Sequence, residues 1–134
     1  MSMEYLLDTN IIVHFMRHRP EVIDSIQRVG IGHCAISEIT LMELYYGAEC
    51  SKRVEDNIRM IDQLMQWIKV VPITNSIREM CHCKAILRKQ GQMVEDNDLL
   101  IGCTAKVNGY VMVTENVKHL QHIPGLVIEN WVQR

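Results

Sequence analysis

The sequence reads as an α/β domain, with helices on both faces of a central, mostly parallel sheet of four to five strands. Three observations predict it. Short apolar runs alternate along the chain with longer stretches of helical periodicity, the pattern of strand–helix–strand units. The length, 134 residues, suits one domain, and a chain of this size buries roughly two thirds of its unfolded surface. No repeat, low-complexity tract or Gly/Ser/Pro linker divides it, so residues 1–134 read as a single unit.

The elements follow in order. Tyr5-Leu6-Leu7 is a short apolar run that delivers Asp8 at its carboxyl end, as a buried strand would. Asp8 or Thr9 can cap a helix carrying Ile11, Ile12, Phe15 and Met16. Pro20 opens a second helix to Val29, because a missing N–H costs nothing in a first turn. Cys34-Ala35-Ile36 is the second strand, and Ser37 caps a helix through Glu43 to about Gly47. Ser51 is expected to cap a long helix whose apolar positions from Val54 to Ile68 keep a 3.6-residue period. Val70-Val71-Pro72-Ile73 is a third strand that Pro72 ends or marks as an edge. Asn75 is expected to cap a helix stopped by Gly91. A helix from Asp98 to Val107, the strand Tyr110–Val113 and a last strand at Leu126–Ile128 complete the pattern.

Composition narrows the function classes. The net charge is −2 and the pI near 6.3, so any contact with nucleic acid depends on a local basic patch. Candidates are Arg17 with Arg19, the group Lys84, Arg88 and Lys89, and the group Lys52, Arg53 and Arg59. Five cysteines include no CxxC pair. Cys81 and Cys83 flank His82, but the usual zinc spacings are missing. His14, His18 and His33 read as structural or exposed. The odd cysteine count and the absence of a signal-peptide pattern point to a reducing cytoplasm. No run approaches the length of a membrane span.

The acids carry the chemistry. Asp8 follows an apolar strand, Glu43 sits inside TLMELYYG, and Asp98 precedes the apolar LLIGCTA. Each has a plain structural reading, as helix cap, solvated helix residue or helix-start charge. Acids beside apolar groups are rarely buried unless paired or metal-bound. Clustered carboxylates repel one another, and a hard divalent cation removes that penalty.

Five ordered segments bring these residues into one frame: YLLDTNIIV, ISEITLMELYYGAE, Asp98-Leu99-Leu100-Ile101 with Ala105, Val113-Thr114-Glu115-Asn116, and Pro124-Gly125-Leu126 through Glu129-Asn130-Trp131. Together they resemble the PIN-domain ribonucleases, in particular the VapC-type toxins of bacterial toxin–antitoxin pairs, over nearly the whole chain. The resemblance implies a PIN-like (Rossmann-like) three-layer fold with Asp8, Glu43 and Asp98 as catalytic acids. Asp8 and Asp98 would be the ligands of Mg²⁺ or Mn²⁺, with Thr9, Asn10 and Asn116 in support. The implied reaction is metal-dependent hydrolysis of RNA phosphodiesters. The implied partners are an RNA substrate, a VapB-like antitoxin and a second copy of the chain. One departure stands out. Many members carry a fourth acid in or soon after the Thr-x-Asn turn, where this chain has Asn116 and His119. Asp96 and Glu115 are the candidate substitutes, and a catalytically weak PIN-fold binding module is the alternative reading.

Overall fold

The computed structural model describes residues 3–134, so positions 1 and 2 of the expected domain lie outside the described residues. The first strand, β1 (Tyr5–Leu7), shows how the layers are built. Tyr5 and Leu7 point into one apolar cluster and Leu6 into another, the two-residue alternation of a strand buried on both faces. The same split recurs in β4 (Val111–Val113), where Met112 faces away from Val111 and Val113.

Between these strands run α1 (Thr9–Met16), α2 (Pro20–Val29), β2 (Cys34–Ser37), α3 (Glu38–Glu49), α4 (Val54–Leu64), β3 (Lys69–Val71), α5 (Ile77–Lys89) and α6 (Asp96–Asn108). After β4 come the single turn α7 (Val117–Leu120) and β5 (Ile128–Glu129). The five strands lie in the order β3-β2-β1-β4-β5, and every pairing is parallel. One face is covered by residues of α1 to α4, among them Ile11, Ile12, Val22, Ile26, Leu44 and Ile61. The other is covered by α5, α6 and α7 through Leu87, Leu99, Ile101 and Leu120. No helix among the described residues is long and apolar enough to cross a membrane.

Several boundaries differ from the sequence expectation, each for a local reason. Ser51 does not cap α4. Its hydroxyl donates to the Ala48 carbonyl and accepts from Asn57 Nδ2, while Arg53 occupies the cap position. That helix ends at Leu64, so Ile68 packs from the following turn. Asn75 does not cap α5 either, because residues 74–76 form a 3₁₀ turn that leads into it. The helix carrying Asp98 starts two residues earlier than expected, at Asp96. The last strand sits at Ile128–Glu129, and α7 had no sequence signal beyond one apolar turn. Pro72 follows the last residue of β3, which is an edge strand.

Because all strands run one way, the carboxyl ends of β1, β2 and β4 share a rim, where an open α/β sheet binds its ligands. Asp8, Ser37 and Thr114 stand at these ends. The Asp8 N–H donates to the Val113 carbonyl at 2.9 Å, which locks the ends of β1 and β4 together.

Candidate active site

Asp8 is 5% exposed, which is unusual for a carboxylate. It is the N-cap of α1. Its Oδ1 accepts from the Thr9 N–H at 2.8 Å, and its Oδ2 accepts from Thr114 Oγ1 at 2.7 Å. Asn10 Nδ2 approaches Oδ2 at 3.5 Å. The cap reading and the site reading of this residue therefore describe one arrangement: the turn that starts α1 also fixes the carboxylate on the rim.

Glu43 arrives from α3. Ser37 caps that helix, its Oγ accepting from the Ile39 N–H at 3.0 Å. Thr9 Oγ1 donates to Glu43 Oε1 at 2.6 Å and also lies 3.1 Å from Thr40 Oγ1. Asp98 arrives in the first turn of α6. Asn116 Nδ2 donates to Asp98 Oδ2 at 3.4 Å, while the Asn116 N–H donates to Thr114 Oγ1 at 2.9 Å. These contacts form one continuous path. It runs from Glu43 through Thr9 to Asp8, then through Thr114 and Asn116 to Asp98.

The electrostatics follow from what these partners lack. Among the described residues, no Lys, Arg or His forms an ion pair with Asp8, Glu43 or Asp98. Burial pushes the Asp8 carboxyl above its ordinary range, opposed by the bonds from Thr114 and Thr9 and reinforced by the charge of Glu43. Asp98 is pushed up to about 6 by burial and then by the charges of Asp8, Glu95 and Glu43. Each of these three carboxylates therefore contributes to a shared negative field.

The donor set suits a hard divalent cation. The groups are carboxylate and amide oxygens, and Asn10 Oδ1 is buried without a hydrogen-bond partner beside them. Among the described residues, no three His, Cys, Asp or Glu side chains form a cage by themselves. Mg²⁺ ordinarily takes one or two carboxylates and completes its shell with water and substrate oxygens. Cys81 and Cys83 face different surroundings. Cys83 is buried with Sγ 3.6 Å from Glu79 Oε1, and Cys81 is exposed.

The other candidates are spread around the rim. Asp96 forms an exposed ion pair with Lys84 at 2.8 Å. Glu115 turns away from the acids and pairs with His14 and with Arg134 Nη2 at 2.6 Å. Burial alone would raise the Glu115 carboxyl, but hydrogen bonds from His14 and Arg134 outweigh it and hold it low. Arg17 lines a cleft that also contains Thr9 and Glu43. Arg19 is tied to Glu21 at 3.0 Å and to the Gln133 carbonyl at 3.0 Å. Lys84, Arg88 and Lys89 line a groove along α5, whereas Arg59 reaches toward Asp56.

Sequence reasoning quoted Thr40, Thr114 and His119 within its motifs but gave none of them a role. Thr40 stands three residues before Glu43 on one helix, a spacing that shares a face. Thr114 follows an apolar strand as Asp8 does, but its bond to Asp8 spans 106 residues. His119 Nδ1 lies 2.7 Å from Asn116 Oδ1, a contact that only α7 makes available.

Comparison with known proteins places the fold. The PIN domain family model matches residues 5–125. Ribonuclease VapC2 of Haemophilus influenzae is 34% identical over 131 residues, covering 97% of this chain and 99% of that protein. The tRNA(fMet)-specific endonuclease VapC of Salmonella typhimurium is 32% identical over 96% of this chain and 98% of its own. The crystal structure of VapBC2 from Rickettsia felis, bound to a DNA fragment from its promoter, superposes with a TM-score of 0.90. It shares 30% identity and covers 97% of this chain and 100% of its counterpart. The chain belongs to the PIN-domain family, among the relatives named VapC ribonucleases.

Proposed function

We propose that this protein is a Mg²⁺- or Mn²⁺-dependent endoribonuclease, the toxin of a toxin–antitoxin pair, with Asp8, Glu43 and Asp98 as its catalytic acids. The observation that carries this reading is the path of neutral hydrogen-bond donors that joins three carboxylates, with no ion pair to a protein cation among the described residues. Asp8 and Asp98 are the residues that would hold the cation. When bound, it would supply charge neutralisation at the phosphate and lower the pKa of a water. Thr9 and Thr114 orient Asp8 and Glu43, and Asn116 orients Asp98; support of this kind is commonly worth 10- to 100-fold in affinity or activity. Glu43 accepts a hydrogen bond from Thr9 and keeps its second oxygen free to orient a water.

The substrate strand has cations to meet outside the acidic centre, from Arg17 on one side and from Lys84, Arg88 and Lys89 on the other. Such contacts position a strand without reading its bases. The relative from Salmonella typhimurium is named for tRNA(fMet), which makes that RNA the first substrate to try. The partner is a VapB-like antitoxin. The apolar cleft of about 290 Å³ formed by Val13, Met16, Leu44, Ala48, Met60 and Ile61 beside Glu43 would take an apolar side chain from its amphipathic helix. The exposed Tyr46, on the same helix as Glu43, is available to a second copy of the chain.

The test is cleavage of tRNA(fMet) and of total RNA by purified protein, with Mg²⁺, with Mn²⁺ and with chelator, alongside Asp8→Asn. The reading expects cutting only with metal and a loss of more than about 100-fold in the variant. Equal cutting in chelator, or by the variant, contradicts it.

A further inference from the structure

The outer face of α5 concentrates positive charge in a chain whose net charge is −2. Arg78, Lys84, Arg88 and Lys89 are all exposed there. Of these four, among the described residues, only Lys84 forms an ion pair, with Asp96 at 2.8 Å. Helical spacing sorts them into a groove. Cys81 and Ala85, one turn apart, are short and form its floor. Lys84 and Arg88 stand on one side and Lys89 on the other, bordering a space of about 620 Å³. The helix dipole accounts for the cations of the last turn, Arg88 and Lys89. It does not account for Lys84 or Arg78, which stand further back.

This groove leads to the acids. It shares Lys84 and Arg88 with a cleft that also contains Gln92, Met93 and Val94. That cleft shares Met93 and Val94 with a cavity whose wall holds Asp98. The three depressions therefore adjoin one another from Asp98 to α5, and the charge changes sign along them. Carboxylates stand at one end and cations at the other. Met93 is 89% exposed where the two inner depressions meet, a flexible apolar side chain of the kind that adapts to varied partners. From Arg78 to Arg88 the helix rises about 15 Å. Phosphates along a stacked strand lie about 3.4 Å apart, so the cationic face matches about four of them.

We infer that the α5 face is a docking site for the RNA chain outside the chemical centre. It holds the sugar–phosphate backbone on one side of the cut, several nucleotides away, and does so without metal. The protein thereby selects RNAs that continue past the cut on that side. A nucleic-acid backbone suits the groove better than an acidic protein segment, because the groove opens toward the cavity at Asp98 where substrate is cut. Phosphate contacts of this kind fix register and read no bases. The inference rests on the ribonuclease reading. Of the two cationic flanks of the site, it assigns the docked strand to that of α5.

The experiment measures binding of a labelled oligouridylate of roughly twelve nucleotides, within the span of known single-strand sites, by fluorescence anisotropy in chelator and low salt. Wild-type protein is compared with the double variant Arg88→Ala, Lys89→Ala and with Arg88→Lys, Lys89→Arg, which keeps both charges. A control, Arg28→Ala with Lys69→Ala, removes the same charge from α2, on the other face of the sheet, and from the first residue of β3. Thermal melting verifies folding. The α5 alanine variant should bind about tenfold more weakly. Its slope of log affinity against log salt should be shallower by about 1.4, at about 0.7 for each lost contact. The charge-keeping variant and the control should both bind as wild type does. An α5 alanine variant with undiminished affinity overturns the inference and leaves the groove to an acidic partner. A control that weakens binding as much also overturns it, because net charge alone then explains the loss. With metal added, a wild-type protein that cuts no RNA overturns the ribonuclease reading, while the binding measured in chelator still decides the docking site. Cutting by a wild-type protein whose RNA affinity ignores Arg88 and Lys89 overturns only the docking site.

Discussion

Two carboxylate settings share one rim of the sheet and are built in opposite ways. Glu115 receives the Arg134 guanidinium through Nε and Nη2 at 2.9 and 2.6 Å, and the His14 ring on its other oxygen. Its carboxyl is held below its ordinary range. Asp8 receives a backbone N–H and a threonine hydroxyl, and Asp98 a side-chain amide. Their carboxyls are pushed up. Glu115 follows Thr114 directly in the chain, so the difference is one of partners rather than of location. A carboxylate matched by protein cations stabilises the fold. Carboxylates oriented by neutral donors leave a negative charge for something outside the chain to balance, at a cost to the metal-free protein.

The largest test of this contrast is to neutralise one acid in each setting. Asp98→Asn should reduce RNA cleavage by more than about 100-fold while leaving the melting temperature in chelator unchanged or raised. Glu115→Gln should do the reverse. Activity stays within a few-fold, and stability falls by about 1–2 kcal/mol as the charged hydrogen bonds are lost, read by urea denaturation. If Glu115→Gln proves the more damaging to cleavage, the two settings have been assigned the wrong way round.

Thr114→Val comes next. It keeps the shape of a fully buried side chain and removes both the donor to Asp8 and the acceptor for the Asn116 N–H. A loss of about 10- to 100-fold in divalent-cation affinity is expected, because the hydroxyl orients a ligand rather than serving as one. A smaller drop, under about threefold by titration, would show that Asp8 is held well enough by Thr9 alone.

The pH dependence sharpens the comparison further. A folded-state pKa of about 6 for Asp98, against an ordinary value of 3.8, means the carboxyl's contribution is fully present below pH 3.8 and is lost as pH rises through 6. Metal-free protein should therefore melt at lower temperature at pH 7 than at pH 5. The difference is on the order of 1 kcal/mol once solvent screening of this partly buried group is allowed for. Asp8 acts in the same direction. A saturating cation should reverse the slope, adding about 2.7 kcal/mol at one hundred times its dissociation constant. A melting temperature in chelator that rises steadily from pH 5 to 7 contradicts the account.

The smallest effect belongs to Arg134→Ala. Its side chain is 66% exposed, and an exposed ion pair contributes about 0–1 kcal/mol. Cleavage should stay within twofold and the unfolding midpoint should move only slightly.

Much of this was legible in the chain. The helix Pro20–Val29 is marked at both ends, by a proline that tolerates a first turn and by Gly30 at φ +92°. Asp8 after an apolar strand and Asp98 before an apolar helix were visible as acids in the wrong company. Their common placement required the resemblance, since spacing alone joins nothing so far apart along the chain. The parts that stayed hidden depend on tertiary contact. Ser51 looks like a cap until its hydroxyl is seen bonded to Ala48 and Asn57. Glu115 looks like a spare site acid until His14 and Arg134, from opposite ends of the chain, are seen to claim it.

The central claim, that the cluster of Asp8, Glu43 and Asp98 is completed by a cation from solution, is tested most directly by Mn²⁺ titration followed by electron paramagnetic resonance, without RNA. Wild-type protein should bind a stoichiometric ion at pH 7. Asp8→Asn and Asp98→Asn should each weaken binding at least tenfold, and Glu115→Gln should bind as wild type does. Equal Mn²⁺ binding by wild type and by Asp8→Asn would contradict the account.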